Sequence, residues 1–168
     1  MNEYLDSEFD RADDLISQDL NEEAKAVLNN ILLEDPKYGK AHNHIGWLLK
    51  NKENDAVEAE KHYKLAIDFT PEYGASYLNY SYLLSEAKRY DDLRDILTKA
   101  ESVEDVNKSN LAREWAYYYE DTRQYEKAIE KYKEYALSLY ENSYIEKAKE
   151  GIERCKMKID IQRCNKKA

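Results

Sequence analysis

The sequence predicts an all-α protein built from repeated helix hairpins, and three observations carry that prediction. Breakers are scarce: the 168 residues include only four glycines and two prolines while 36 % are charged, which favours long helices and short turns over strands. Small and apolar residues recur at helical spacing in paired blocks, as in Gly39–Leu49 followed by Ala59, Tyr63 and Ala66. The blocks themselves recur: Pro36 and Pro71 are 35 apart, as are the pairs Tyr38-Gly39 and Tyr73-Gly74.

Residues 3–17 carry Leu5, Phe9, Ala12, Leu15 and Ile16 at helical spacing. Asn21 is placed to cap a second helix through Ala24, Val27, Leu28, Ile31 and Leu32, which ends at Asp35-Pro36. The next hairpin has helices near 39–52 and 56–69 and stops at Pro71. A third places Tyr77, Tyr80, Ser81 and Leu84 before the turn Lys88-Arg89-Tyr90, and Leu93, Leu97 and Ala100 after it. The polar stretch Glu101–Lys108 leads to a fourth, with Ala112, Trp115, Ala116 and Tyr119, then Tyr125, Ala128, Tyr132 and Tyr135. Residues 143–164 read as one amphipathic helix with Tyr144, Ile145, Ala148, Ile152, Cys155 and Ile159 inward and lysines and arginines outward. With no linker or low-complexity run, residues 1–168 read as a single domain of repeats at about 3–36, 38–71, 73–106 and 108–141, closed by that last helix.

A two-helix unit recurring every 34 or 35 residues resembles the tetratricopeptide repeat (TPR) family over nearly the whole chain. The second unit matches best: Ile45-Gly46 stands where the family has Leu-Gly, and Ala59, Tyr63, Ala66 and Pro71 fall on four further signature positions. It departs at His42 and Leu49, where the family has Trp and Tyr, and one extra residue lies in Asn51–Asp55. The later units replace Gly46 by Ser81 and Ala116, and the first has Ala12. The resemblance implies a right-handed α-solenoid of four TPR-like hairpins in which Ala12, Gly46, Ser81 and Ala116 are small because paired helices cross there. Each hairpin leaves an apolar face for the next to cover, so the 143–164 helix is expected to cap the last one.

Charge is uneven. Residues 1–36 hold eleven acidic and two basic residues, and residues 142–168 hold four acidic and eight basic, within a net charge of −9. An acidic chain repels phosphate backbones, so nucleic acid is not an expected partner. No apolar run reaches membrane-spanning length and the N-terminus lacks a signal-peptide pattern, so no membrane partner is expected and the expected location is cytoplasmic. Cys155 and Cys164 lie nine apart on one helix, pointing to opposite faces as reduced thiols.

Catalytic and cofactor signatures are absent. There is no Gly-rich phosphate loop, no Cys-x-x-Cys and no His-Glu-x-x-His. His42, His44 and His62 read as surface residues of their helices. No enzyme activity and no cofactor is expected. What remains is a surface. The resemblance places a binding groove along the first helix of each hairpin, at the residue after the small one, which is Trp47, Tyr82 and Tyr117 in three successive units and Asp13 in the first. With Lys40, Asn43, Lys50, Leu78, Asn79, Asn110 and Arg113, and with Glu120 as a further candidate, these rings suit a peptide or helix of a partner protein: rings give contact area at low entropic cost, and amides bond a peptide backbone. The rings equally suit packing. Two other readings stay open: salt-sensitive self-association of the acidic N-terminal and basic C-terminal ends, and a chaperone-like holder of one client.

Overall fold

A computed structural model describes residues 3–165, and every regular element among them is an α-helix. The order is α1 (Glu3–Ser17), α2 (Asn21–Glu34), α3 (Gly39–Asn51), α4 (Ala56–Phe69), α5 (Gly74–Glu86), α6 (Tyr90–Glu101), α7 (Lys108–Asp121), α8 (Tyr125–Leu137) and α9 (Asn142–Asn165). Among the described residues no helix is long and apolar enough to cross a membrane. The chain divides into two compact units: residues 1–83 with 103–105, and residues 84–102 with 106–168.

Each within-hairpin turn contains one residue in the left-handed region: Asp19, Asn54, Lys88 and Arg123, with φ of 60°, 57°, 55° and 61°. None is glycine. The next N–H then reaches back to a helix carbonyl five residues earlier: Leu20 to Leu15 (2.9 Å), Arg89 to Leu84 (3.0 Å) and Gln124 to Tyr119 (2.8 Å). In the second turn Asp55 reaches Leu49 (2.9 Å), one residue farther, which accommodates the extra residue. The tight first turn puts Leu20 at the N-cap of α2, so Asn21 does not cap that helix as expected; its amide instead bonds Asp19 Oδ1 at 2.7 Å.

In the first unit, Ala12, Ala24, Leu28, Ile31, Ala59, Tyr63 and Ala66 are buried between paired helices. Gly46 lies under Tyr63: a Cβ there would stand 2.8 Å from the ring and 3.2 Å from the Ala59 carbonyl oxygen, so only glycine fits. The same ring reaches onward to Tyr80, with centroids 6.2 Å apart. Gly39 is equally constrained, since a Cβ would stand 2.8 Å from Thr70 Cβ and 2.9 Å from the Ala66 carbonyl oxygen.

The second unit is centred on Ala112, Ala116, Ala128, Tyr132, Tyr135, Ala148 and Cys155. Gly151 on α9 receives the Tyr132 ring; a Cβ would lie 2.6 Å from it. Gly151 follows Ala116 by 35 residues, so α9 begins as the first helix of a further repeat and then runs on to 24 residues. Two expectations are corrected here. Tyr144 is exposed, leaving Ala148, Gly151, Cys155 and Ile159 as the buried residues of α9 among those described. The Glu101–Lys108 stretch is not simply polar, because Val103 and Val106 are buried.

Candidate peptide-binding surface

The outward stripe follows from helix register. In α3, Ile45, Gly46, Leu48 and Leu49 are buried, and Trp47 between them is only half-buried. Lys52 Nζ stands over its indole at 5.7 Å. In α5, Ser81 and Leu83 are buried and Tyr82 between them is half-buried. In the second unit, Ala116 and Tyr118 are buried and Tyr117 is 41 % exposed, its ring edge-on to Tyr132 at 6.0 Å. Burial raises the Tyr117 phenol above its ordinary pKa, so it remains a neutral donor.

The polar candidates divide. Lys40, Lys50, Asn79, Asn110 and Arg113 are partly exposed. Asn43 and Leu78 are 2 % and 6 % exposed, so they face the interior. Asn43 is buried because it has a partner: Asn79 Nδ2 donates to its Oδ1 at 3.0 Å, linking α3 to α5. Arg113 Nε donates to Glu114 Oε1 at 3.0 Å, and its guanidinium stands 6.0 Å from the centre of the Tyr135 ring. Burial raises the Glu114 carboxyl, with Arg113 opposing.

Glu120 is buried and structural, a correction to its candidacy for the groove. Arg154 grips it with two hydrogen bonds (2.6 and 2.7 Å), Lys158 adds one at 2.7 Å, and the Tyr132 hydroxyl donates another at 2.7 Å. Burial alone would raise this carboxyl, but those bonds overcome it and hold the pKa at about 2. The cluster ties α9 to α7 and α8. The histidines are also corrected: His42 is buried, its Nε2 donating to the Pro36 carbonyl (3.1 Å), which leaves its Nδ1 to accept from His62 Nδ1 at 3.0 Å. Burial, then the neighbouring His42, lowers the His62 pKa. Among the described residues no three His, Cys, Asp or Glu side chains converge to hold a metal ion.

A further feature of the first unit leaves only a faint trace in the sequence. A concavity of about 680 Å³ is lined by Lys40, Thr70, Glu72, Tyr73, Glu104 and Asp105. A second, of about 300 Å³, shares Lys40, Thr70 and Glu72 and continues to Asp6, Asp35 and Tyr38. Lys40 Nζ lies 5.9 Å from the centre of the Phe9 ring and 5.6 Å from that of Tyr73. The repeated Tyr-Gly pairs, set beside an acidic first segment, were the available signal.

Solved structures similar to this chain cover nearly all of it. The crystal structure of TTC0263, a thermophilic TPR protein of Thermus thermophilus, aligns with a TM-score of 0.66 at 14 % identity, over 88 % of this chain and 81 % of that one. The chain has the tetratricopeptide repeat fold. PilW, a widely conserved type IV pilus biogenesis factor, aligns at 0.70 and 16 % identity over 94 % of this chain and 77 % of its own. Pseudomonas aeruginosa PilF aligns at 0.55 and 17 % identity over 96 % and 92 %. No protein-family model matches the chain, and no curated protein matches its sequence. In TPR terms, Ala12, Gly46, Ser81 and Ala116 are the helix-crossing positions and all four are buried.

Proposed function

We propose that this protein is a non-enzymatic adaptor that holds a short segment of a partner protein on the outward stripe of its TPR first helices. The observation that carries the reading is the register of Trp47, Tyr82 and Tyr117. Each follows a buried helix-crossing residue, each precedes another buried residue, and each keeps part of its ring exposed. The stripe is proposed for each unit by itself. Trp47 and Tyr82 serve the first, with Lys40, Lys50 and Asn79 beside them, and Tyr117 serves the second, with Asn110 and Arg113. Asn43 and Leu78 act from beneath, Asn43 by fixing the Asn79 amide. Partly exposed rings with few rotatable bonds are favourable anchors for a partner.

Salt-sensitive self-association has weaker support. On α9, Lys149, Lys156 and Arg163 pair with Glu146, Glu153 and Asp160 of the same helix, and Arg154 and Lys158 are committed to Glu120. The free thiols of Cys155 and Cys164 are in keeping with a cytoplasmic site of action.

The test is affinity capture from native lysate with the wild type and the Trp47→Ala/Tyr82→Ala variant side by side. The reading expects a partner captured by the first and lost from the second with the far-UV circular dichroism unchanged. A variant that folds and still captures that partner would refute it.

A further inference from the structure

The first unit holds nineteen acidic and eight basic residues, a net charge of −11, whereas the second holds sixteen and eighteen, a net +2. The whole negative excess of the chain thus belongs to the unit containing the two concavities around Lys40. Their linings bring Asp6, Asp35, Glu72, Glu104 and Asp105 together against Lys37 and Lys40. Among the described residues, Glu72, Glu104 and Asp105 have no lysine or arginine partner.

Two further observations give this hollow a ligand chemistry. Phe9 and Tyr73 are already spaced to take a cation between them, because the Lys40 ammonium lies within 6 Å of both ring centres. The local field is also negative despite that lysine. Burial pushes the Tyr73 phenol up to about 12, and Asp13 and Asp105 add to the shift. Burial, a hydrogen bond to Asp6, and the charges of Asp6, Asp10 and Asp35 raise Tyr38 as well.

We propose that the hollow around Lys40 receives a basic segment of a partner protein, an extended stretch bearing lysine or arginine. The incoming cation occupies the slot between Phe9 and Tyr73, and Glu72, Glu104 and Asp105 hold the flanking charges. Lys40 fills the slot when no partner is present. This deepens the adaptor reading and rests on it, since it supplies the chemistry of the bound segment. An acidic tail or a phosphate backbone would be repelled by the same carboxylates.

The probe is a fluorescein-labelled Arg-Ser-Gly repeat peptide, with a Glu-Ser-Gly repeat as its counterpart, titrated with the full chain and read by fluorescence anisotropy. The arginine peptide is expected to bind and to weaken as salt rises, and the glutamate peptide to show no binding. An exposed charge pair is worth up to about five-fold in affinity. Glu72→Gln/Glu104→Gln/Asp105→Asn should therefore weaken binding by about ten-fold or more. The same change in net charge on α6, Asp91→Asn/Asp92→Asn/Asp95→Asn, should cost less than about two-fold, because those carboxylates do not line either concavity. Lys40→Met should tighten binding several-fold, since it removes a competing cation. Equal losses from the two triple variants, weaker binding by Lys40→Met, or no binding of the arginine peptide would each overturn the proposal. The Trp47→Ala/Tyr82→Ala variant separates the two readings: if it retains the partner captured from lysate, the ring stripe fails, whereas the basic-segment proposal is decided by the triple variants and Lys40→Met.

Discussion

Gly151 of α9 and Tyr132 of α8 meet so closely that a Cβ on Gly151 would lie 2.6–2.8 Å from three atoms of the phenol ring. The ring cannot easily swing aside, because its hydroxyl is held 2.7 Å from Glu120 Oε2. In an exposed helix, Gly→Ala stabilises by about 1 kcal/mol. Gly151→Ala should have the opposite sign, destabilising the protein by about 1–3 kcal/mol through overpacking. Chemical denaturation followed by circular dichroism measures it, and a gain in stability would show that α9 does not sit on Tyr132.

Glu120→Gln should lower stability by roughly 2–4 kcal/mol at neutral pH, because it leaves the Arg154, Lys158 and Tyr132 donors poorly matched. The carboxyl has a folded pKa of about 2 against an ordinary 4.5. Its contribution is therefore full above about pH 4.5 and is lost as pH falls toward 2. The urea midpoints of wild type and variant should converge across that window, and a constant gap would exclude ionic anchoring of α9.

His62 works at a higher pH. Its folded pKa lies below the ordinary 6.5, mainly through burial and secondarily through His42. The unfolded chain thus takes up a proton more readily, so stability is complete above about 6.5 and falls as the pH drops below it. His62→Asn keeps a short amide donor toward His42 Nδ1 and cannot titrate. Its midpoint should lose less between pH 7 and pH 5 than that of the wild type.

Lys88 and Arg123 hold left-handed backbone in the turns after α5 and α7. Lys88→Gly and Arg123→Gly should each stabilise by roughly 1 kcal/mol, because glycine adopts that conformation without a Cβ clash. Asn54→Gly should gain less, since asparagine already tolerates it. Thermal melts of the three variants rank them.

The fold was legible because its signals are local and periodic. Pro36 and Pro71 mark the repeat, and the small residues at 12, 46, 81 and 116 mark the helix crossings. The predicted helices at 39–52 and 56–69 agree with α3 and α4 to within a residue. Gly151 extends that series by another 35 and was legible too, yet a lone glycine in a charged helix draws no attention without the ring beneath it. The surface was only half legible. The outward register of Trp47, Tyr82 and Tyr117 follows from the period. The burial of Asn43 depends on Asn79, 36 residues away, and that of Glu120 on Arg154, 34 away. Lys40 likewise finds Phe9 and Tyr73 through tertiary packing. Side chains of these types are polar or charged, so their sequence pattern places them outside until a distant partner is known.

The most direct measurement places the photo-crosslinking residue benzoylphenylalanine at Tyr82, at Tyr117 or, as a control, at Leu33, which is 81 % exposed and off the ring stripe. After irradiation in cells, the adaptor reading predicts a discrete protein adduct from positions 82 and 117 and none from 33. Equal adducts from all three positions, or none from 82 and 117 in folded protein, would contradict it.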